Sequence, residues 1–308
     1  LKQLRYVDAL ARHGHFGRAA EACGISQPAL SMQVRDLEAA LGTALFDRGA
    51  RNVRLTGFGE EFAARARDIL RRADELSDLA RAAQDGLSGR LRLGVIPTIA
   101  PYLLPALLRE LAARHAGLDM QVRETVTPKL IAELLDGRLD AAILALPVSE
   151  PALTEVALFT EEFVLVRPER DAGAPVPDRE ALRAMRLLLL EEGHCFRDQA
   201  LSFCNLRSAL SRDGLDGSSL STLVQMVAAG LGVTLVPEMA VPVETRSTPV
   251  AVTRFDAPRP TRTVGLVWRR SSPLAGRLGQ IAEAAGAVAS GGAPGGTGSC
   301  TGGVPDSP

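Results

Sequence analysis

The sequence predicts an α/β protein with a winged helix-turn-helix at its N-terminus, a long linker helix, and two α/β lobes after it. Three observations carry that expectation. Residues 1–56 break into short amphipathic helices followed by an arginine-bearing hairpin. Residues 57–88 repeat apolar side chains at alternating spacings of four and three. Beyond Ser88-Gly89 strands and helices alternate, the pattern of an α/β sheet. At 308 residues the chain is long enough for two or three domains with ample core.

Leu4, Val7, Leu10 and Ala11 mark the apolar face of a first helix. Arg18 to Cys23 continues as a second, which Gly24 breaks. Ser26 is suited to cap a third helix, with Pro28 tolerated in its first turn. Leu30, Val34, Leu37 and Leu41 give that helix its apolar stripe, and Gly42 ends it. Ala20, Gly24 and Leu30 have helix-turn-helix spacing: a small residue for close contact, a glycine for the turn, an aliphatic to seat the second helix. The helix so seated presents Gln27, Ser31, Gln33 and Arg35 outward, side chains of the kind that read base edges in a major groove. A helical hairpin with a glycine turn and no such role satisfies the spacing equally well. Leu45 to Leu55, with Arg48, Arg51 and Arg54, reads as a small basic hairpin whose arginines suit phosphates and favour the winged version.

Phe62, Ala66, Ile69, Ala73, Leu76, Ala80, Ala83 and Leu87 form a heptad seam, expected to pair two copies of the chain. An ordinary surface helix packed on its own domain is the plainer alternative. Strands are expected over 90–99, 120–127, 141–146, 163–167, 187–190, 233–236 and 263–268, and helices over 101–115, 129–135, 219–229 and 274–288. The last helix returns to the first lobe and leaves a cleft between the two. The domain boundaries are therefore 1–56, 57–88 and 89–289, with a Gly/Pro/Ser/Thr-rich tail at 290–308 expected to be disordered.

Composition narrows the function classes. The net charge is −1, so the chain as a whole is no polycation, although residues 1–56 carry eight Lys/Arg against five Asp/Glu. No apolar run is long enough to span a membrane. The opening Leu1-Lys2-Gln3-Leu4-Arg5 is not read as a secretory signal, and the missing initiator Met points to a truncated or processed start. A cytoplasmic, reducing compartment is expected, where a permanent structural disulfide is rare. Cys23, Cys195, Cys204 and Cys300 have no metal-ligand spacing, and His13, His15 and His115 have no partner spacing, so neither a metal nor another cofactor is expected.

The most informative stretch is Gly193-His194-Cys195-Phe196-Arg197-Asp198-Gln199-Ala200-Leu201-Ser202-Phe203-Cys204. Cys195 stands among a histidine, an arginine and a carboxylate, a setting able to hold a thiolate. Cys204 falls in step with Phe196 and Ala200, the buried face of a helix. On one intact helix the two Cα atoms lie about 13.5 Å apart and on opposite faces. A disulfide needs them within about 7 Å, so bridging would demand local unfolding. Read without further context, two inert core cysteines account for the stretch as well.

Phe16-Gly17-Arg18-Ala19-Ala20, Ile25-Ser26-Gln27-Pro28-Ala29-Leu30-Ser31, Val34-Arg35-Asp36-Leu37-Glu38 and Leu41-Gly42-Thr43-Ala44-Leu45-Phe46, with Arg48 and Leu55-Thr56, resemble the winged helix-turn-helix of LysR-type transcriptional regulators. Gly94-Val95-Ile96-Pro97-Thr98, Pro101-Tyr102-Leu103-Leu104-Pro105, Leu144-Ala145-Leu146, Gly193-His194-Cys195, Arg197 to Ala200, Phe203-Cys204, Val227 to Gly230 and Ala240-Val241-Pro242 are similar to the peroxide-sensing members of that family. The resemblance covers nearly the whole chain except the tail. It implies a periplasmic-binding-protein-like effector domain, and DNA contacts from Arg18, Ser26, Gln27, Pro28, Ser31, Gln33, Arg35, Arg48, Arg51 and Arg54. It also implies that Cys195 is oxidised by hydrogen peroxide and resolved by Cys204. Thr98, Thr127, His194, Arg197, Asp198 and Arg262 would form the peroxide pocket or activate the thiol. One stretch departs from the family: Asp213-Gly214-Leu215-Asp216-Gly217 lacks a histidine that some members carry there.

The function implied is a non-enzymatic transcriptional regulator of oxidative-stress genes. Its partners would be double-stranded promoter DNA, a second copy of itself in a dimer and then a tetramer built as a dimer of dimers, RNA polymerase, and a thiol reductant system. Two rivals remain. One is a LysR-type regulator that binds an organic metabolite in the interlobe cleft, its thiol pair vestigial. The other is a thiol peroxidase, opposed by the DNA-binding region and the lack of a CxxC.

Overall fold

The computed structural model describes residues 1–47, 53–82, 88–204 and 216–291. Arg48, Arg51, Ala83, Leu87, the stretch 213–215 and the tail from residue 292 on, with Cys300, lie outside the described residues; Ser290 and Gly291 end a helix instead. The chain divides into two compact units, the first carrying the N-terminal helices and the second nearly all that follows.

In the first unit, α1 (Lys2–His13) ends at Gly14, whose φ of 57° is left-handed and suits a residue without Cβ. His15 then caps α2 (Phe16–Ala22), its Nδ1 accepting from the backbone N–H of Gly17 at 3.1 Å and of Arg18 at 3.4 Å. Ser26 caps α3 (Gln27–Leu41), its Oγ accepting from Ala29 N–H at 3.4 Å. Val7, Leu10, Ala19, Ala20, Leu30 and Val34 close the core of these three helices. Strands β1 (Phe46–Asp47) and β2 (Arg54–Leu55) pair antiparallel as the base of the expected hairpin. Glu38 Oε1 accepts from the N–H groups of Leu45 at 2.9 Å and Phe46 at 3.1 Å, which anchors β1 to α3.

Helix α4 (Gly57–Ala82) starts under the Thr56 hydroxyl, which accepts from Gly59 N–H at 2.9 Å. A Cβ on Gly59 would stand 2.0 Å from the Leu45 carbonyl oxygen, so only glycine lets the helix approach the hairpin this closely. The expected seam divides in two along α4. Phe62 and Ala66 are turned into the unit's own interior, whereas Ile69 and Leu76 are 49% and 68% exposed. The part of the seam open to a partner thus begins at Ile69 rather than at Phe62.

The second unit is an α/β sheet. Strands β3 (Gly89–Val95), β4 (Leu118–Glu124) and β5 (Ala141–Leu146) are parallel, joined through α5 (Ala100–Arg114) and α6 (Thr127–Leu135). Strand β6 (Leu153–Pro168) is 16 residues long and takes two sets of partners. Through Glu162 it pairs antiparallel with β11 (Thr261–Arg269), and from Phe163 onward with β9 (Thr234–Pro237) and β10 (Val250–Arg254). The sequence reading placed a strand only over 163–167. Its first ten residues were missed because most are half-exposed and interrupted by Glu155, Glu161 and Glu162, and because a register shift opposite Val264/Gly265 breaks the alternation. Helices α7 (Arg179–Ala184), α8 (Cys195–Phe203), α9 (Leu220–Ala228), α10 (Val241–Glu244) and α11 (Ala275–Gly291) complete the unit with the short pair β7 (Leu189–Leu190) and β8 (Asp216–Gly217). Phe163, Leu165, Phe196, Ala200, Val224 and Leu235 belong to one continuous buried cluster, so α8 and α9 share a core with the second half of β6. No described helix is long and apolar enough to cross a membrane.

Candidate functional site

Helix α8 carries one cysteine at each end. Gly193, at φ 93°, makes the turn into the helix, His194 is its N-cap residue and Cys195 its first residue. Cys204 follows Phe203 as the C-cap and is fully buried, on the same face as Phe196 and Ala200, as the period of the sequence predicts. The Arg183 side chain donates from Nε to the Cys204 carbonyl at 3.0 Å and holds that end. Neither cysteine is in a disulfide. An intact nine-residue helix between them sets the Cα atoms about 13.5 Å apart, well beyond disulfide reach.

Cys195 lines a narrow recess together with Thr98, Thr127, His194 and Phe196. The topology explains the convergence. Thr98 lies in the turn after β3, and Thr127 opens α6 after β4, so both stand beyond the carboxyl ends of parallel strands, where α/β sheets place their ligand sites. The Thr127 hydroxyl oxygen is buried and has no hydrogen-bond partner among the described residues. The recess is closed to less than the width of a water, so an occupant must part its walls.

Arg262 braces this recess from behind. It is 3% exposed and donates from Nη1 to Thr98 Oγ1 at 2.8 Å, from Nη2 to the Thr98 carbonyl at 3.0 Å, and from Nε to Glu161 Oε1 at 2.8 Å. Its guanidinium carbon also lies 5.6 Å from the centroid of the Phe196 ring, next in chain to Cys195. Glu161 is a site residue that the sequence reading missed. It faces Arg262 across the β6–β11 ladder, 101 residues away in sequence, and no local spacing signals it.

Two expected members are directed elsewhere. Arg197 is buried and donates from Nη1 to the Leu190 carbonyl at 2.6 Å, with the Asp216 carboxylate 3.0 Å away, so it ties α8 to β7 and β8. Asp198 is exposed on the outer side of α8 and does not line the recess. His194 stays close to the thiol and lines the recess with it. Burial lowers its pKa below the ordinary 6.5, against a smaller opposing pull from Glu191. The neutral imidazole therefore predominates at pH 7 and offers one donor and one acceptor. Beside the recess lies a wider cavity of about 310 Å³, reached by Thr98, Tyr102, Lys129, His194, Ser219 and Glu244. Tyr102 donates its hydroxyl to Glu244 Oε1 at 2.7 Å, and burial followed by that bond pushes the phenol pKa up. Among the described residues no group of three or more His, Cys, Asp or Glu side chains is gathered as metal ligands would be.

In the first unit, Arg18, Ser26, Gln27, Pro28, Arg35 and Arg54 are exposed, and Ser31 and Gln33 are half-buried. The polar residues at the start of α3 therefore reach solvent while Leu30 and Val34 hold the helix to its core.

Residues 1–60 match the bacterial regulatory helix-turn-helix protein family, lysR type, and residues 84–289 match the LysR substrate binding domain. The chain belongs to the LysR family. This LysR-type regulator is 47% identical to a probable hydrogen peroxide-inducible genes activator of Streptomyces viridosporus over 92% of each chain. It is 42% identical to the DNA-binding transcriptional dual regulator OxyR of Escherichia coli K12, over 92% of this chain and 94% of that one. Among solved structures, a full-length OxyR variant from Pseudomonas aeruginosa superposes with a TM-score of 0.72 at 38% identity, covering 92% of this chain and 93% of that one. A hydrogen-peroxide-bound OxyR mutant of Corynebacterium glutamicum gives 0.66 at 36% identity, covering 94% and 92%.

Proposed function

We propose that this LysR-family regulator senses hydrogen peroxide through Cys195 and carries the signal to promoter DNA, activating oxidative-stress genes. The observation that carries the reading is the convergence of Thr98, Thr127, His194 and Cys195 on one recess, with a buried hydroxyl at Thr127 that has no partner among the described residues. Hydrogen peroxide both donates and accepts hydrogen bonds, and among oxidants it asks for little parting of the recess walls. The chemistry balances on the residues present. The Cys195 thiolate gives an electron pair to one peroxide oxygen, an S–O bond forms, the O–O bond breaks, and the departing hydroxide takes a proton to become water. The sulfenic acid then condenses with the Cys204 thiol, releasing a second water and leaving a disulfide. Cys195 heads α8, where the positive end of the helix dipole favours an anion. Because α8 keeps the two cysteines apart, the disulfide closes only when the helix gives way, and the chemistry becomes a change of shape.

The domain boundaries carried into this reading are a winged helix-turn-helix over 1–56, a linker helix over 57–88 and a two-lobed, periplasmic-binding-protein-like effector domain over 89–289. Arg18, Ser26, Gln27, Pro28, Ser31, Gln33 and Arg35 would face DNA, with Arg48, Arg51 and Arg54 on the backbone. The exposed seam from Ile69 through Leu76 supports a dimer, which would pair again into a tetramer. RNA polymerase, a thiol reductant and a cytoplasmic setting complete the proposal, and the protein acts as a switch rather than an enzyme.

Mass mapping of thiols before and after stoichiometric peroxide, paired with footprinting on candidate promoters, tests it. A Cys195–Cys204 disulfide with a shifted footprint is expected; a shift with both thiols still reduced overturns it. A second reading rests on the 310 Å³ cavity, whose Lys129, Ser219 and His194 suit a polar organic effector. In that case a metabolite, and not peroxide, moves the footprint, and Cys195→Ser leaves the response intact.

A further inference from the structure

We propose that Glu161 is a positioning residue for the oxidation of Cys195, acting through Arg262 to set the direction of the Thr98 hydroxyl; this rests on the peroxide reading above. Arg262 is an obligate donor, so the bond it gives to Thr98 Oγ1 occupies an acceptor lone pair on that oxygen. The Thr98 proton is thereby left for another acceptor, and Thr98 lines the recess. Thr127, whose hydroxyl has no partner among the described residues, remains able to accept. The recess then holds a donor and an acceptor, the pair that a bound peroxide and its departing oxygen require.

What fixes Arg262 in that orientation is Glu161. Its Oε1 takes the Nε–H at 2.8 Å and lies 2.7 Å from Nη2, so the carboxylate occupies one edge of the guanidinium and leaves Nη1 for Thr98. The Phe196 ring limits its tilt. Glu161 is itself held: Oε2 accepts from the Met239 N–H at 3.2 Å, in the turn that follows β9. Both charges are buried, 9% and 3% exposed, so the pair is close to neutral as a unit. Arg262 therefore acts on the recess mainly by aiming a hydroxyl, and less as a bare cation beside the thiolate. A purely structural Glu161 would only offset a buried charge.

The two roles separate by reagent. In the full-length reduced protein, the rate of Cys195 loss is followed by peptide mass spectrometry with hydrogen peroxide and, separately, with iodoacetamide, which needs a thiolate but no aimed hydroxyl. Glu161→Gln should slow the peroxide reaction about ten- to a hundred-fold, the scale of misaligned reacting groups. Alkylation should stay level or rise, because the Arg262 charge is no longer offset. In a Thr98→Val background, Glu161→Gln should cost no more than about two-fold further, since residues acting as one unit are non-additive. Glu161→Asp, with the carboxylate withdrawn by one methylene, should give the same pattern in smaller measure, and serves if the glutamine variant does not fold. Equal losses with both reagents, or the same peroxide loss with and without the Thr98 hydroxyl, overturn the proposal. If Cys195 of the parent protein does not react with peroxide at all, the peroxide reading itself falls, and the positioning role with it.

Discussion

Helix α3 begins under a side-chain cap. The Ser26 hydroxyl satisfies Ala29 N–H, and Gln27 and Pro28 stand in solvent beside it. Helix α8 begins without one: the His194 side chain makes no capping bond, and the first residue is a half-buried cysteine beside a recess. The same local device, a helix start, is thus put to two uses. A capped start is chemically finished and can present its side chains to a large, polar partner. An uncapped start keeps backbone donors and a nucleophile for something small.

The largest test of this contrast is Cys195→Ser. It should abolish the peroxide-induced change in footprint while leaving reduced-state DNA binding within about two-fold, since α8 and α3 belong to different units. A variant with wild-type peroxide sensitivity would take the thiol out of the mechanism. Gln27→Ala is the counterpart on α3. It should cost about 1–3 kcal/mol at one base pair if the side chain makes a bidentate contact, and leave thiol oxidation rates unchanged. Binding titrations on single-base operator variants measure it, and an equal loss on random DNA would argue against base reading. Ser26→Ala removes the cap and should lower stability by about 1 kcal/mol. Urea unfolding followed by helical circular dichroism reads that loss, and no change in midpoint would mean that the cap is idle. The smallest effect is the titration of His194. Burial lowers its folded pKa, so the unfolded chain takes up the proton more readily. Its contribution to stability is present above the ordinary 6.5 and is lost as the pH falls below it. Imidazole proton shifts should show a midpoint below 6.5; a midpoint above it would mean that a neighbouring carboxylate outweighs burial.

How much of this was visible in the sequence depends on the distance over which each residue acts. The period Phe196, Ala200, Cys204 is local, and so are the Ser26 cap and the glycine stops at Gly24 and Gly42; each appears where the spacing puts it. Thr98 and Thr127 carry no local signal and were reached only through family resemblance, because what gathers them is the parallel order of β3 and β4. Arg197 was legible as a residue near Cys195 but not as a clamp, since its partner Asp216 comes from β8. Glu161 was illegible altogether: its partner, Arg262, lies on a neighbouring strand far along the chain. The protonation of His194 had no reading in the sequence, which gives proximity to Glu191 but not the burial that outweighs it.

The length of β6 constrains how this protein can change over evolutionary time. The strand already carries an extra residue opposite Val264/Gly265, where the pairing steps from Phe159 to Ala157. Between that step and the switch of partners at Phe163, faces alternate one residue at a time. One inserted or deleted residue there would send the Glu161 carboxylate to the opposite side of the sheet and leave Arg262 buried without its counter-charge. Substitutions along β6 can be absorbed one by one, but a change in its length cannot, so drift in this family should spare that interval from gaps while the connecting loops grow and shrink.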